Sequence, residues 1–201
     1  MTTQSASIID GRTARGNRTR VAVVRAMLSL LDDGELRPTA KQISDRAGVS
    51  LRSVFQHFAD LETLFAAAAD AQFERLGPLD VSIADDLPFA ERLDRFVQAR
   101  TGWLETVTPV RRSAVLQEPF SREIARRLAY VRKVHRAEIV RVFAPQLARF
   151  GEEELEDVIL ALHVAAEWYT WETLRAQNGL SVPEARRVVS KMISALLKKE
   201  A

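Results

Sequence analysis

Between Ser50 and Phe58 four side chains, Arg52, Ser53, Phe55 and Gln56, fall at spacings that put them on one arc of a helix. Val54 and Phe58, four residues apart, take the opposite side with Val49. The outward arc has the chemistry needed to read the DNA major groove. An arginine can donate two parallel N–H groups to guanine O6 and N7, a glutamine can pair with adenine in the same way, and a phenyl ring can lie on a thymine methyl. Thr39, Lys41 and His57 stand where phosphates would be met, and Ser50 completes the candidate DNA-contacting set. Upstream, Arg12, Arg15, Arg18, Arg20 and Arg25 crowd a stretch in which Asp10 is the only acid before Asp32. Of these, Arg15, Arg18 and Arg20 read as a basic arm along a phosphate backbone, or as a solvated tail. A second constellation follows, in which Phe96, Trp103 and Trp171 accompany isolated polar groups at His135, His163 and Glu167 on otherwise apolar faces. Many apolar atoms with few polar ones suit a small-molecule pocket, or equally a solid core with hydrogen-bonded histidines.

Helices must position both sets. Val21, Val24, Met27, Leu28 and Leu31 recur at spacings of three and four, and Gly34 stands where that helix would stop. Thr39 is an N-cap for a short helix over 40–47 that buries Ile43 and Ala47, and Gly48 supplies a turn position. Ser50 then caps a third helix to about Phe58, and Asp60 caps a fourth over 61–76 that Gly77 and Pro78 end. A fresh start is expected near Asp85, Asp86 and Pro88. Helices over 89–106, 110–118, 121–143, 152–178 and 182–199 follow, with Pro109, Pro119 and Pro145 as breaks. The helix over 152–178 carries two apolar stripes, Leu155, Val158, Leu162, Ala166 and Tyr169 on one side, Leu160, Val164, Trp171 and Leu174 on the other. A helix apolar on two sides needs two neighbours, so it and the last helix, opened by a Ser181–Glu184 capping box, are expected to pair with their symmetry mates in a homodimer. No period-two alternation lasts long enough for a strand.

The chain has 201 residues, 47% of them hydrophobic, and a net charge of only +2, so the case for a nucleic-acid partner rests on where charge sits. With no cysteine, disulfides, thiolate metal sites and cysteine nucleophiles are excluded. Neither a signal peptide nor a membrane-length apolar run is present, which points to a cytoplasmic protein with no membrane partner. His-Glu-x-x-His, P-loop, dinucleotide-glycine and Gly-x-Ser-x-Gly patterns are missing, so no catalytic residue, metal or cofactor is expected. The arginine-rich stretch 111–141 reads first as a solvated helix face.

Two short helices around a glycine turn have helix-turn-helix geometry, yet spacing alone does not separate them from an ordinary piece of a bundle. The run from Thr39 to Phe58 resembles the TetR family of transcriptional regulators, through Ala47-Gly-Val-Ser50, the aromatic-x-His-Phe element Phe55–Phe58, and Leu64 with Phe65. The resemblance covers about 20–65 closely and the remainder by helix pattern. It implies an all-α chain with a flexible basic arm over 1–19, a helix-turn-helix DNA-binding domain with connecting helix over 20–76, and a ligand-binding and dimerisation domain over 77–201. It further implies a homodimer on double-stranded operator DNA, repression, and release by a small molecule. A helical enzyme or an adaptor without DNA binding is the alternative. Three positions depart from the family pattern. Phe55 replaces a tyrosine whose hydroxyl meets a phosphate, Leu61 replaces a phosphate-contacting lysine, and Arg52 adds a base-reading side chain where glycine is frequent.

Overall fold

The computed structural model describes residues 4–76, 83–84 and 86–198, with side chains from residue 14 onward. The expected start of the arm at 1–3, the stop at Gly77 and Pro78, the restart at Asp85 and the helix end at Lys199 lie outside them. All regular structure among the described residues is helical: α1 Gln4–Asp32, α2 Ala40–Ala47, α3 Leu51–His57, α4 Leu61–Leu76, α5 Phe89–Gln117, α6 Arg122–Val142, α7 Ala144–Leu147, α8 Glu152–Ala165, α9 Trp168–Glu172 and α10 Val182–Leu196. A 3-10 turn, Glu118–Phe120, joins α5 to α6, and a π-helical turn, Thr173–Gln177, extends α9.

Contacts divide the chain into two compact units, 1–77 with 109–124, and 78–108 with 125–201. The stretch 109–124 thus groups with the N-terminal helices, a grouping that a single cut at residue 76 does not contain.

In the first unit α1 buries Val23, Ala26, Met27, Leu30 and Leu31, spaced by three and four residues. Against them lie Ile43 of α2, Val54 of α3, Phe58 just after it, and Leu64, Phe65 and Ala68 of α4. Each large side chain so buried contributes about 1.5–3 kcal/mol of transfer free energy. Arg46 fastens α2 to α1, its Nη1 donating to Ser29 at 2.5 Å and pairing with Asp33 at 2.8 Å. The corner after α5 is tied in as well, Ser113 donating to the Leu36 carbonyl at 2.8 Å and Ser121 bonding Glu62. One expectation fails here. Residues 4–19 are helical, where a flexible arm was expected, because no proline interrupts 4–32 and the segment simply continues the helix of 21–32.

In the second unit the first part of α5 is the centre. Phe96 meets Phe143 edge-on at 5.1 Å, Arg92 donates to Gln146 at 2.7 Å, and Arg186 of α10 donates to Thr101 at 2.8 Å. Pro109 does not end α5, contrary to the sequence expectation. Burial of Leu104, Val110 and Ala114 around it outweighs the bond that its missing N–H costs. The expected single helix over 152–178 is also broken. Ala166 leaves helical geometry (φ −102°, ψ 7°), and Glu167 is extended (φ −83°, ψ 157°), its carboxylate accepting the Trp168 N–H at 2.8 Å as the cap of α9. The Ser181–Glu184 capping box forms at the start of α10, and its hydrogen bonds hold the Glu184 carboxyl below its ordinary value.

Candidate nucleic-acid interface

Three caps set the geometry of α2 and α3. Thr39 accepts the Gln42 N–H at 3.3 Å while the Gln42 side chain accepts from the Thr39 backbone at 2.8 Å and hydroxyl at 2.7 Å. Gly48 closes α2 at φ +66°, a left-handed turn that a side chain would strain. Ser50 opens α3 by accepting the Ser53 N–H at 3.1 Å. Asp60 does the same for α4, accepting the Thr63 N–H at 2.7 Å, a bond that holds its carboxyl below the usual range.

At 100° per residue, Leu51, Phe55, Arg52 and Gln56 sweep a continuous arc of about 140°. All four are exposed, including Phe55 at 48% and Leu51 at 43%. Val54 (1%), about 60° beyond Leu51 on the same wheel, and Phe58 (2%), just past the helix end, fill the core. Ser53 and His57 lie half-buried between the two, so Ser53, expected on the outward arc, instead faces Ser50, with the two hydroxyls 3.0 Å apart. Leu51 is the member of this face that the sequence reading passed over. Its signal was its position immediately after the cap.

The expected phosphate contacts differ in how freely they can act. The Thr39 hydroxyl already serves the capping box, and Lys41 is exposed but paired with Asp45 at 2.6 Å. Arg15 and Arg18 are exposed on α1, and Arg20 lies over the Phe58 ring at 4.5 Å, a cation–π contact that fixes it beside the end of α3. Gly16 brings the α1 backbone past His57, since a Cβ there would meet the imidazole at 3.8 Å.

In the second unit the residues expected to line a pocket fall into two groups. Trp103 meets His135 edge-on at 4.7 Å, and beside Phe96 the Arg100 guanidinium stands 5.5 Å from the ring. Arg100 is 1% exposed and pairs with Glu138 at 2.8 Å, the two sitting on α5 and α6. Burial lowers the Arg100 pKa from its ordinary value, and the negative charges of Glu138 and Glu167 oppose that. His163 is half-buried with its pKa lowered, first by burial, with Glu167 acting in the opposite direction. Trp171 belongs to the other group. Its indole donates to Glu105 at 2.7 Å, beside Arg175 at 2.9 Å, and these bonds hold the Glu105 carboxyl below its ordinary value. Neither Arg100 nor Glu138 was singled out in the sequence, although a charge inside the apolar stripe Leu93, Phe96, Val97 and Leu104 was the visible sign.

The arginine-rich stretch is shared between the units. Arg111 is buried, and Arg136 pairs with Glu156 at 2.6 Å. Among the described residues no helix is long and apolar enough to cross a membrane.

No family model and no curated protein matches the chain. Solved structures do. A transcriptional regulator from Rhodococcus sp. Rha1 superposes with a TM-score of 0.68 at 16% identity, over 90% of this chain and 95% of that one. A protein assigned as a transcriptional regulator in Pseudomonas aeruginosa PAO1 gives 0.67 at 17%, over 89% of each chain. A protein assigned to the TetR family of transcriptional regulators in Mesorhizobium loti MAFF303099 gives 0.64 at 17%, over 91% and 96%. The chain shares the fold of these three proteins. Since each alignment spans nearly the whole molecule, the likeness includes the C-terminal helices, where the sequence alone offered only a helix pattern.

Proposed function

We propose that this chain is a DNA-binding transcriptional regulator of the TetR family, a cytoplasmic homodimer that represses from a roughly palindromic operator and is released by a small molecule held in its second unit. One observation carries the reading: a doubly capped helix-turn-helix that leaves Leu51, Arg52, Phe55 and Gln56 on one continuous exposed arc, in a chain with a regulator fold. A helix docked in a major groove presents outward side chains of this kind to the base edges on its floor. Residues 20–76 would bind DNA and 77–201 would bind the ligand and the partner. For the dimer, Leu160 (55%) and Val164 (54%) on α8 and Tyr169 (50%) on α9 are exposed apolar groups that support a self-complementary contact there, with α10 as the second helix of the pairing.

The test is fluorescence anisotropy on DNA flanking the chain's own gene, with sedimentation of the free protein. A dimer that binds one such segment in preference to shuffled DNA is expected, and Val164→Glu should shift it towards monomer and weaken operator binding. A stable monomer at micromolar concentration that binds no flanking DNA would defeat the reading.

A further inference from the structure

We propose that the small molecule taken by the second unit carries a head of acceptor oxygens, a carboxylate or a carbonyl group without N–H or O–H, seated by Arg100 and Trp103. The inference rests on the ligand-responsive reading above and names the chemistry of that ligand.

Arg100 spends one nitrogen, Nη2, on Glu138, while its Nε and Nη1 are buried without a hydrogen-bond partner. The indole Nε1 of Trp103 and the imidazole Nε2 of His163 are buried in the same condition. Guanidinium and indole nitrogens only donate, so what satisfies them must accept. Arg100 and Trp103 are three residues apart on α5 and therefore neighbours on its surface. The His163 Nε2, on α8, is a further buried nitrogen without a partner, able to donate when the neutral imidazole carries its proton there. Nε and Nη1 belong to different edges of the guanidinium, so one oxygen cannot serve both. At least two acceptor atoms are called for, as a carboxylate or an ester provides. A cationic or amine head would instead bring hydrogens against the guanidinium and the indole N–H, which cannot accept them. The Phe96 and Trp103 rings beside these donors suit an apolar remainder.

The three indoles make the test specific. Trp168 donates to Thr108 at 3.1 Å and Trp171 to Glu105 at 2.7 Å, whereas the Trp103 indole is unbonded, so its N–H signal in a nitrogen-15 spectrum of the full chain should respond most to a head group. The probes are octanoate, methyl octanoate and octylamine, below their micellar concentrations. Octanoate and its ester should move the Trp103 signal saturably, and octylamine should not. The double variant Arg100→Met/Glu138→Met removes the guanidinium and its counter-ion together, leaving neither charge of that pair buried alone; with its fold checked by circular dichroism, it should weaken octanoate by about tenfold or more. Equal effects of octylamine and octanoate, unchanged octanoate binding by the double variant, or no movement with any probe would each overturn the proposal. Operator anisotropy in the same titrations separates the two levels. Release of DNA by octylamine alone would leave a ligand-responsive regulator with the wrong head group, and octanoate binding at Trp103 without release would leave the head group right and the regulatory reading wrong.

Discussion

On α3, Arg52 and Gln56 stand in water, while on α5 another arginine, Arg100, is 1% exposed and held by Glu138 at 2.8 Å. The same side chain has opposite duties in the two places. An exposed arginine touches almost nothing in its own chain, so its replacement leaves stability near where it was and changes only what it meets outside. A buried ion pair has paid its desolvation cost already, and losing one partner leaves the other in a medium that cannot solvate it. Folding and binding are therefore separable in the first unit and joined in the second.

Substitution can break that contrast most forcefully at Arg100. Arg100→Met should lower unfolding stability by about 3–5 kcal/mol, by chemical denaturation, because Glu138 loses its guanidinium, whereas Arg100→Met/Glu138→Met should stay near the starting stability or exceed it. A single variant as stable as the double would remove the distinction. Next in size, Arg52→Ala should cost about 1–3 kcal/mol of operator affinity and relax the choice at one base position, with no change in melting temperature. Arg18→Ala should weaken all DNA sequences alike and flatten the salt dependence. An Arg52→Ala protein with unchanged affinity and base preference would move the reading face off α3.

The smallest effect sharpens the picture of the buried side. Burial keeps the folded-state pKa of His163 below its ordinary 6.5, so the unfolded chain takes up that proton first and stability falls as pH drops below 6.5, until the folded value is passed. At a half-buried site solvent screening keeps that loss small. Thermal unfolding between about pH 7.5 and pH 5.5 should show a shallower pH slope for His163→Leu than for the natural chain. Parallel slopes would mean that His163 titrates as freely as in the unfolded chain.

What could be read in advance was mostly local. Thr39, Ser50 and Ser181 cap the helices their positions announce, and Gly48 takes the left-handed turn, because each of these depends on residues within four places along the chain. The outward arc of α3 was legible for the same reason, except that Ser53 turns to its cap. The breaks were not. Pro109 is absorbed by packing on a long helix, and Glu167 ends α8 with no proline or glycine to announce it. The partnership of Arg100 with Glu138 spans 38 positions, and periodicity says only that a charge interrupts a stripe, not what meets it.

Pro109 has a consequence for dynamics. The contact division of the chain falls between Thr108 and Pro109, inside a helix that runs unbroken from Phe89 to Gln117. Amide protons exchange with solvent at a rate set by the cooperative unit whose opening exposes them. If the two compact units also open as separate cooperative units, the amides before Pro109 keep one clock and those after it another, and the proline, having no amide proton, is a silent mark where the two meet. One helix then reports the opening free energies of both units in a single exchange measurement, as a step between neighbouring turns.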